Sequence, residues 1–387
     1  MQVSDRSIIS GMLVASLAST IGGLPFNSLP LMLGSLADSF ALSPAAVGLL
    51  GSICFAGYLI GTLGAPFWIN RLNWRMLTLV SAAGTAGSFA LSAFVSDLQA
   101  LYVAWALIGF FASTMTCLGM RILNDLPNKV RAYGFRLGTE LGVTAMVLFA
   151  LPPLVLAVWK YPGAALTLAC VVALLGLSAF WLPSRPTSTP EAIIHSAPRG
   201  AISFDSMITM AIFFVFLTGN IGLWAFIERI GAAQSFAPAQ MGIVFAVLKL
   251  LGGVAGFSLA MWGERLGERK PHVLVLMVIL IGLALLHSQA GFTAFALGAW
   301  IWEFAFTCGC VFQTAAIART DNTGRAIVLV PAVFAFSSMV GPGLAGQLAS
   351  SGSFGGLLMM ALASSLVPAI FYLIWRQKQQ GATILAS

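Results

Sequence analysis

The sequence predicts an all-α membrane protein whose twelve transmembrane helices form two pseudo-symmetric six-helix bundles. The composition, a succession of apolar runs and a repeat of loop motifs predict this fold class. Of the 387 residues, 59% are hydrophobic and 8% are charged, whereas an average soluble domain is about 25% charged. So few polar side chains cannot cover a water-soluble surface. The 40 glycines also suit membrane helices, because small residues let helices approach closely.

Long apolar runs define the predicted transmembrane helices. A helix needs about 20 mostly apolar residues to cross the hydrocarbon core. These runs are apolar on every face, which predicts helices and not barrel strands, in which polarity alternates. Twelve runs meet the length requirement: 8–35, 43–68, 76–96, 99–122, 137–158, 163–182, 205–229, 238–262, 272–288, 291–316, 326–349 and 355–375.

The distribution of Lys and Arg predicts the orientation of these helices. If both termini lie on one side, sixteen basic residues fall on that side and only Lys160 falls in a loop on the other. Cytoplasmic loops carry such an excess of basic residues. The sequence therefore predicts a multi-pass protein of the cell inner (plasma) membrane with both termini in the cytoplasm. The net charge of +7 then reflects topology and does not indicate nucleic-acid binding.

Short loop motifs recur at a spacing of 194 residues. A single register across several loops indicates a tandem duplication, with a solute site expected near the midplane between the halves. The Pro- and Ser-rich segment 183–203 is predicted to be a cytoplasmic linker between an N-terminal bundle, 1–182, and a C-terminal bundle, 204–387. The matching positions are Pro44 and Pro238, Arg71 and Arg265, and Arg131 and Arg325.

The loop after helix 8 carries a family signature. It reads Gly-Glu-Arg-Leu-Gly-Glu-Arg-Lys over 263–270, which resembles the Gly-x-Leu-x-Asp-Arg-x-Gly-Arg-Arg motif of the major facilitator superfamily. The resemblance extends over essentially the whole chain. It implies a secondary transporter that works by alternating access, with helices 7, 8, 10 and 11 around the C-terminal half of the cavity.

The resemblance also implies a cytoplasmic gate made of charged loops. Acidic and basic residues in such a loop can pair with a neighbouring helix end in one state and release it in another. The first copy of the motif, 69–75, is degraded, since Asn70 stands where an acid is expected. The gate of the first half is therefore expected to close less tightly. The candidate gate residues are Arg71, Arg75, Arg131, Glu264, Arg265, Arg269, Asp321 and Arg325.

Two departures from the family pattern disfavour a drug–proton antiporter. Trp105 stands in helix 4 where the family often has an arginine. Helix 5 contains Pro152-Pro153 where the antiporters carry Gly-Pro, and a Gly-Pro pair appears in helix 11 instead, at Gly341-Pro342.

Charged residues inside the predicted spans are the strongest functional candidates, because each costs about 2.5–3.5 kcal/mol at the centre of a helix. Lys249 and Glu303 lie near the midplane, and Glu228 and Arg229 lie toward the outer end of helix 7. One hypothesis is that Lys249 or Arg229 attracts an anionic solute while Glu303 or Glu228 carries a proton. The alternative is a structural Lys249–Glu303 ion pair, with Glu228 and Arg229 as interfacial anchors.

Uncharged polar and aromatic residues in the spans are weaker candidates. Each amide can bind solute or bond between helices, and each tryptophan can hold an apolar solute or pack at the interface. Glu140, near the start of helix 5, is expected to contact Arg136 or Arg131. Gly57 and Gly61 predict close helix packing. The candidate solute-binding residues, besides Arg229 and Lys249, are Asn27, Trp105, Asn220, Trp224, Trp300 and Gln313.

Enzymatic motifs are absent from the sequence. His195, His272 and His287 are interpreted as isolated loop residues, and there is no His-Glu-x-x-His, phosphate loop or Cys/His cluster. We therefore expect no catalytic residue, no metal site and no cofactor. The expected partners are a small-molecule solute, H⁺ as the favoured coupling ion and the lipid bilayer, with the chain acting as a monomer that binds no nucleic acid.

The favoured function is therefore proton-coupled transport of a small organic anion or other metabolite by alternating access. The alternative is a drug/proton efflux pump with an aromatic, weakly charged cavity for amphipathic compounds. A membrane protein without transport activity ranks third, because the duplicated twelve-helix plan is typical of transporters.

Overall fold

The part of the chain described by the computed structural model is built from helices. It comprises residues 5–69, 71–124, 129–182, 202–262, 270–321, 325–349 and 353–385. A π-helix, Leu151–Leu156, joins α5 to α6, and a short 3-10 helix, Leu177–Trp181, follows α6. The α-helices are α1 Asp5–Phe40, α2 Pro44–Ile69, α3 Trp74–Phe94, α4 Leu98–Asn124, α5 Lys129–Ala150, α6 Ala157–Gly176, α7 Phe204–Ala232, α8 Pro238–Trp262, α9 Lys270–Ser288, α10 Phe292–Thr320, α11 Arg325–Leu348 and α12 Gly355–Leu385.

The membrane-spanning segments follow the predicted pattern. Within the described residues, eleven continuous helical segments are long and apolar enough to cross a membrane. One of them, Gly134–Trp181, is 48 residues long and contains two predicted spans, 137–158 and 163–182. Lys160 divides this segment, since its backbone at φ 49° and ψ −147° is not helical. The predicted all-α, multi-pass architecture is confirmed, with every predicted span on a helix.

Lys160 adopts a backbone conformation that glycine tolerates far better than other residues. For a residue with a Cβ, this region costs about 1–3 kcal/mol. Lys160→Gly is therefore expected to raise the midpoint of thermal unfolding, whereas Lys160→Ala, which keeps the Cβ, leaves it unchanged. Fluorescence-detected melting of the purified variants tests this, and equal midpoints for the two variants would contradict the strain.

The π-helix between α5 and α6 is explained by two consecutive prolines. Proline has no backbone N–H, so Pro152 and Pro153 cannot donate hydrogen bonds to the preceding turn, and the helix widens there. Gly242 of α8 packs directly on this segment. A Cβ at Gly242 would lie 2.6 Å from the Phe149 carbonyl oxygen, so α8 approaches the widened turn only because position 242 has no side chain.

The chain divides into two compact units, Met1–Ala197 with Ala237–Lys249, and Pro198–Phe236 with Leu250–Ser387. In the first unit, α1 packs against α4, α5 and α6, and α3 packs against α4 and α6. In the second unit, α7 packs against α10, α11 and α12, and α9 packs against α10 and α12. The second pattern is the first one shifted by six helices. The packing inside each unit therefore repeats, as the loop motifs do.

The predicted linker, 183–203, lies outside the described residues except for its last two positions. The predicted boundaries of the two bundles, 1–182 and 204–387, therefore stay a prediction.

Glycines allow α2 and α4 to touch through their backbones. A Cβ at Gly57 would lie 2.8 Å from the Ala106 carbonyl carbon, and one at Gly61 would lie 2.5 Å from the Phe110 carbonyl oxygen. From the other side, Gly109 of α4 lies against the Cys54 carbonyl of α2. The close helix packing predicted at Gly57 and Gly61 is confirmed.

Candidate functional site

One face of α1 carries small and polar residues of the first unit. Ser19, Gly22, Gly23, Phe26 and Asn27 follow one another at spacings of one to four residues along the helix, which places them on one side of it. Ser19 is fully buried and Asn27 is 4% exposed. This face is therefore a stripe of small and polar residues on α1, interrupted by Phe26.

An ion pair on α5 is hydrogen-bonded to this stripe. Arg136 Nη2 donates to Glu140 Oε2 at 2.8 Å, and Arg136 Nε donates to Ser19 Oγ at 2.6 Å. Asn27 Nδ2 donates to Glu140 Oε1 at 3.3 Å. The predicted contact between Glu140 and Arg136 is confirmed. The four residues form one network between α1 and α5, in which each charged side chain has both an ionic and a neutral partner.

Two consecutive glycines make this network possible. A Cβ on Gly23 would overlap the carboxyl group of Glu140, and a Cβ on Gly22 would overlap the hydroxyl of Thr116 on α4. The α1 backbone at these positions is therefore open to polar groups from two neighbouring helices. In sequence terms, a Gly-Gly pair in the middle of an apolar span is the signal that could have pointed to this site.

Aromatic side chains continue the site toward α2. The Phe26 and Phe55 ring centroids are 5.8 Å apart in an edge-to-face arrangement, and Phe55 and Tyr58 are also 5.8 Å apart. The Tyr58 hydroxyl donates to Thr116 Oγ1 at 2.8 Å. Lys249, at the α8 end of the first unit, places its Nζ 5.8 Å from the Phe26 ring centroid. A solute at this face would meet hydroxyls, an amide, one carboxylate, two cations and an aromatic wall.

In the second unit, Asn220 is the centre of a hydrogen-bonded hub. It is fully buried on α7. Its Nδ2 donates to the Phe216 carbonyl at 2.9 Å and to Ser365 Oγ at 3.0 Å, and its Oδ1 accepts from Trp302 Nε1 at 2.9 Å. The structure thus gives Asn220 one bond within α7 and bonds to α12 and α10, the alternative that the sequence left open for it, while its contact with solute stays a prediction.

Tryptophans of the second unit differ in their surroundings. Trp224 is 1% exposed, and Trp300 is half-buried. Trp302 stacks on Phe306 at 5.6 Å, and Phe306 stacks on Phe216 at 5.8 Å. These three rings join α7 to α10 beside the Asn220 hub.

The carboxylates predicted to carry protons lie in different settings. Glu303 of α10 is 6% exposed, and a Cβ at Gly252 of α8 would lie 3.1 Å from its Oε1. Glu228 is bound by its neighbour Arg229, with 2.7 Å between Glu228 Oε2 and Arg229 Nε. Lys249 belongs to the first unit and Glu303 to the second, and their ion pair stays a prediction.

Gln313 of α10 is 1% exposed, and neither its Oε1 nor its Nε2 has a hydrogen-bond partner among the described residues. A buried amide without a partner costs about 1–3 kcal/mol. A polar group that reached Gln313 from outside the helices would remove this cost, so Gln313 keeps its place among the proposed solute-binding residues.

Trp105 of α4 takes part in a structural network. It is 3% exposed, its Nε1 donates to the Tyr161 hydroxyl at 3.1 Å, and Tyr161 donates to Ser92 Oγ at 2.7 Å. The three side chains connect α4, α6 and α3. This arrangement gives Trp105 a packing role, while its predicted contact with solute stays a prediction.

The described gate residues differ in their contacts. Arg75 Nε donates to the Leu182 carbonyl at 2.6 Å, which ties the start of α3 to the segment after α6. Arg71 is exposed, and Asp321 follows the last residue of α10. The predicted gate residues Glu264, Arg265 and Arg269, and the side chains of Arg131 and Arg325, lie outside the described residues.

His272 corrects one interpretation of the sequence. It is a buried residue of α9, 3% exposed, and stacks on Tyr372 of α12 with ring centroids 3.8 Å apart, whereas the sequence suggested a loop. It is the first residue of the predicted span 272–288, at the boundary between polar and apolar sequence. His287 also lies in α9, in its last turn, and not in a loop. Within the described residues, no group of three or more His, Cys, Asp or Glu side chains could hold a metal ion.

Four residues of the site were not predicted from the sequence: Ser19, Gly23, Thr116 and Arg136. Serine, glycine and threonine are common in membrane helices, and only their positions opposite Glu140 and Tyr58 distinguish these residues. Arg136 was counted as a loop cation because it lies close to the start of α5.

Comparisons with known proteins agree with this architecture. The family model described as Major Facilitator Superfamily matches residues 9–314. A putative sugar efflux transporter from Deinococcus radiodurans is 28% identical over 133 residues, which span 32% of this chain and about a third, 34%, of that protein.

Two solved transporter structures share the fold. The xylose transporter XylE from E. coli aligns with a TM-score of 0.74 at 15% identity, over 95% of this chain and 99% of that one. The nucleoside transporter NupG aligns with a TM-score of 0.73 at 14% identity, over 95% of this chain and 98% of that one. With a family match over most of its length and a matching fold, the chain belongs to the Major Facilitator Superfamily of membrane transporters.

Proposed function

We propose that this secondary transporter moves a small, hydroxyl-rich organic solute of the sugar class, coupled to protons at Glu140. The observation that carries the proposal is the buried network of Arg136 and Glu140 with Ser19 and Asn27. It joins a titratable carboxylate to neutral donors and acceptors on one polar face. Solute binding and proton binding would therefore act on the same contacts between α1 and α5.

The ion pairs of Arg136 and Arg229 favour a neutral solute over an organic anion. Arg136 is paired with Glu140, and Arg229 is paired with Glu228. An anion would have to compete with these carboxylates for the two guanidinium groups. Lys249 adds a positive charge beside Phe26, and an anion held there is the competing hypothesis. A sugar needs no net charge, and its hydroxyls match the Ser19, Asn27 and Thr116 side chains, while its apolar face can stack on Phe26.

Known relatives support the sugar class without establishing it for this chain. The partial match is to a putative sugar efflux transporter, and one of the matching folds belongs to a xylose transporter. We retain Asn27, Lys249 and Gln313 as proposed solute contacts, since each is buried and polar.

Glu140 is proposed as the proton site because its charge holds the network together. When Glu140 is ionised, it binds Arg136 and accepts from Asn27. Protonation removes the negative charge opposite Arg136, so the link between α1 and α5 weakens and the bundle can rearrange. Glu303 and Glu228 are the competing proton sites predicted from the sequence.

Flux measurements in proteoliposomes test the proposed function. A panel of labelled monosaccharides, one labelled dicarboxylate and a fluorescent amphipathic cation would be compared under an imposed pH gradient. We expect saturable, gradient-dependent flux of at least one monosaccharide and none of the dicarboxylate. Flux of the dicarboxylate alone would contradict the sugar class and support the organic-anion hypothesis. Flux of the dye alone would support drug efflux.

We further propose that the protein lies in the cell inner membrane as a monomer with both termini in the cytoplasm. The sixteen basic residues on the side of the termini, against Lys160 in an opposite loop, support this orientation. Alkaline phosphatase fused after Lys160 should be active, and the same reporter fused in segment 183–203 should be inactive. The reverse pattern would overturn the orientation.

A further inference from the structure

A cavity of about 260 Å³ lies inside the second unit, between α8, α9 and α10. Its walls on α9 and α10 are apolar side chains at helical spacing, so each helix contributes one continuous stripe. These residues are Leu274, Val275 and Val278 of α9 and Ala305, Cys308 and Phe312 of α10.

The cavity opens toward the lipid-facing side of these helices. Leu274, in its wall, is 47% exposed, and Met277, one turn along α9, is 56% exposed. Both residues lie in a helix apolar enough to span the membrane, Lys270–Ser288. The opening is therefore flanked by side chains that face the hydrocarbon of the bilayer.

Basic residues lie at one end of the cavity. α9 begins at Lys270 and α10 ends at Thr320, and the two helices are antiparallel neighbours, so these ends reach the same membrane surface. Lys270 precedes Leu274 by four residues, and Arg319 follows Phe312 by seven, which places each cation on the face of its helix that lines the cavity. Both side chains are exposed. Asp321 is a described carboxylate at the same end, so the two cations outnumber it.

From this arrangement we infer that the cavity binds one acyl chain of an anionic phospholipid, with the phosphate headgroup at Lys270 and Arg319. An apolar slot that opens to the hydrocarbon and ends at exposed cations is complementary to both parts of such a lipid. The volume lies below the roughly 300–1,000 Å³ of pockets that enclose a drug-sized ligand. A chain that enters from the bilayer fits this size better than a whole solute does.

The lipid site can be tested on the purified full-length protein by native mass spectrometry. The probes are phosphatidylglycerol and phosphatidylcholine with identical acyl chains. We expect the unmodified protein to retain phosphatidylglycerol preferentially. Lys270→Gln should reduce that preference about fivefold, the effect of removing one basic residue near an anionic lipid, without changing phosphatidylcholine retention.

A cavity-filling variant tests the acyl-chain slot separately. Val278→Trp should lower retention of both lipids on the order of tenfold, because it displaces two or more methylene groups. Leu280→Trp is the matched control, since Leu280 is 41% exposed on the same helix and does not line the cavity. It should retain both lipids like the unmodified protein. Leu274→Trp replaces the Val278 variant if that one does not fold.

Three outcomes would overturn the site. One is retention of both lipids by the cavity-filling variants at the level of the unmodified protein. The second is equal retention of phosphatidylglycerol and phosphatidylcholine by the unmodified protein. The third is displacement of the lipid by an amphipathic dye that binds to the unmodified protein and does not bind to the Val278→Trp variant. This result would identify the cavity as a drug-binding pocket.

Discussion

Glu140→Gln is expected to abolish solute accumulation driven by a pH gradient while leaving solute exchange intact. A difference of one pH unit stores about 1.4 kcal/mol per proton, which sustains up to about tenfold accumulation. Glutamine keeps an oxygen that can accept from Asn27 but does not bind a proton. The variant should therefore still change conformation with solute bound, so counterflow of labelled solute should continue. The tenfold accumulation driven by the pH gradient should be lost.

Controls for this prediction separate coupling from folding. Glu140→Gln leaves Arg136 without its carboxylate, and removing one partner of a buried ion pair can cost about 3–5 kcal/mol. The double variant Arg136→Gln with Glu140→Gln restores charge balance and should show the same uncoupled exchange. Thr139→Ala changes a neighbour whose hydroxyl bonds to the Phe135 carbonyl of its own helix, and it should accumulate solute normally.

Full pH-driven accumulation in Glu140→Gln would exclude Glu140 as the proton site. Glu303→Gln and Glu228→Gln, measured in the same assay, would then identify which of the two other carboxylates carries the proton. Loss of both accumulation and exchange in the single variant, together with a normal melting profile, would instead show that Glu140 is required for solute binding.

Gly109→Ala is expected to destabilise the first unit by overpacking. A Cβ at this position of α4 would lie 2.8 Å from the Cys54 carbonyl carbon and 2.9 Å from the Tyr58 backbone nitrogen of α2. Both obstacles are backbone, so the helices have to separate. Overpacking typically costs about 1–3 kcal/mol. The separation should also draw Tyr58 away from Thr116, so transport is expected to fall with the melting temperature.

Gly87→Ala on α3 is the matched control, because no atom would lie within 4 Å of the new Cβ. Alanine is favoured over glycine inside a helix by about 1 kcal/mol, so this variant should melt at the same or a slightly higher temperature. The melting temperatures of both variants are measured by fluorescence in detergent. Equal values for Gly109→Ala and Gly87→Ala would show that α2 and α4 can separate without a loss of stability.

The candidate site was only partly predictable from the sequence. The bond between Arg136 and Glu140 could be anticipated, because residues four apart meet on a helix surface. Asn27 could be chosen as a polar residue in an apolar span. Its partner Glu140 is 113 residues away, and no local pattern connects the two. The same reasoning chose Asn220, whose amide bonds to Ser365 and Trp302 of neighbouring helices could not be read from the sequence, and its contact with solute stays a prediction.

The break at Lys160 illustrates how local patterns translate into structure. The sequence predicted a loop between spans ending at 158 and starting at 163. The chain instead continues from α5 through the π-helix into α6 and turns within a single residue, Lys160. Hydropathy marks where the chain leaves the hydrocarbon, but it carries no information on how short the turn can be.

The sequence alone determined the membrane environment and the positions of the helices. These features depend on hydrophobicity and spacing, which act along the chain within one or two helical turns. Only the tertiary structure decided which polar groups meet. Gly23 matters because Glu140 fills the space beside it, and Lys270 matters because Arg319 ends the neighbouring helix at the same surface. Such pairings are set by packing between segments far apart in the chain, where periodicity gives no register.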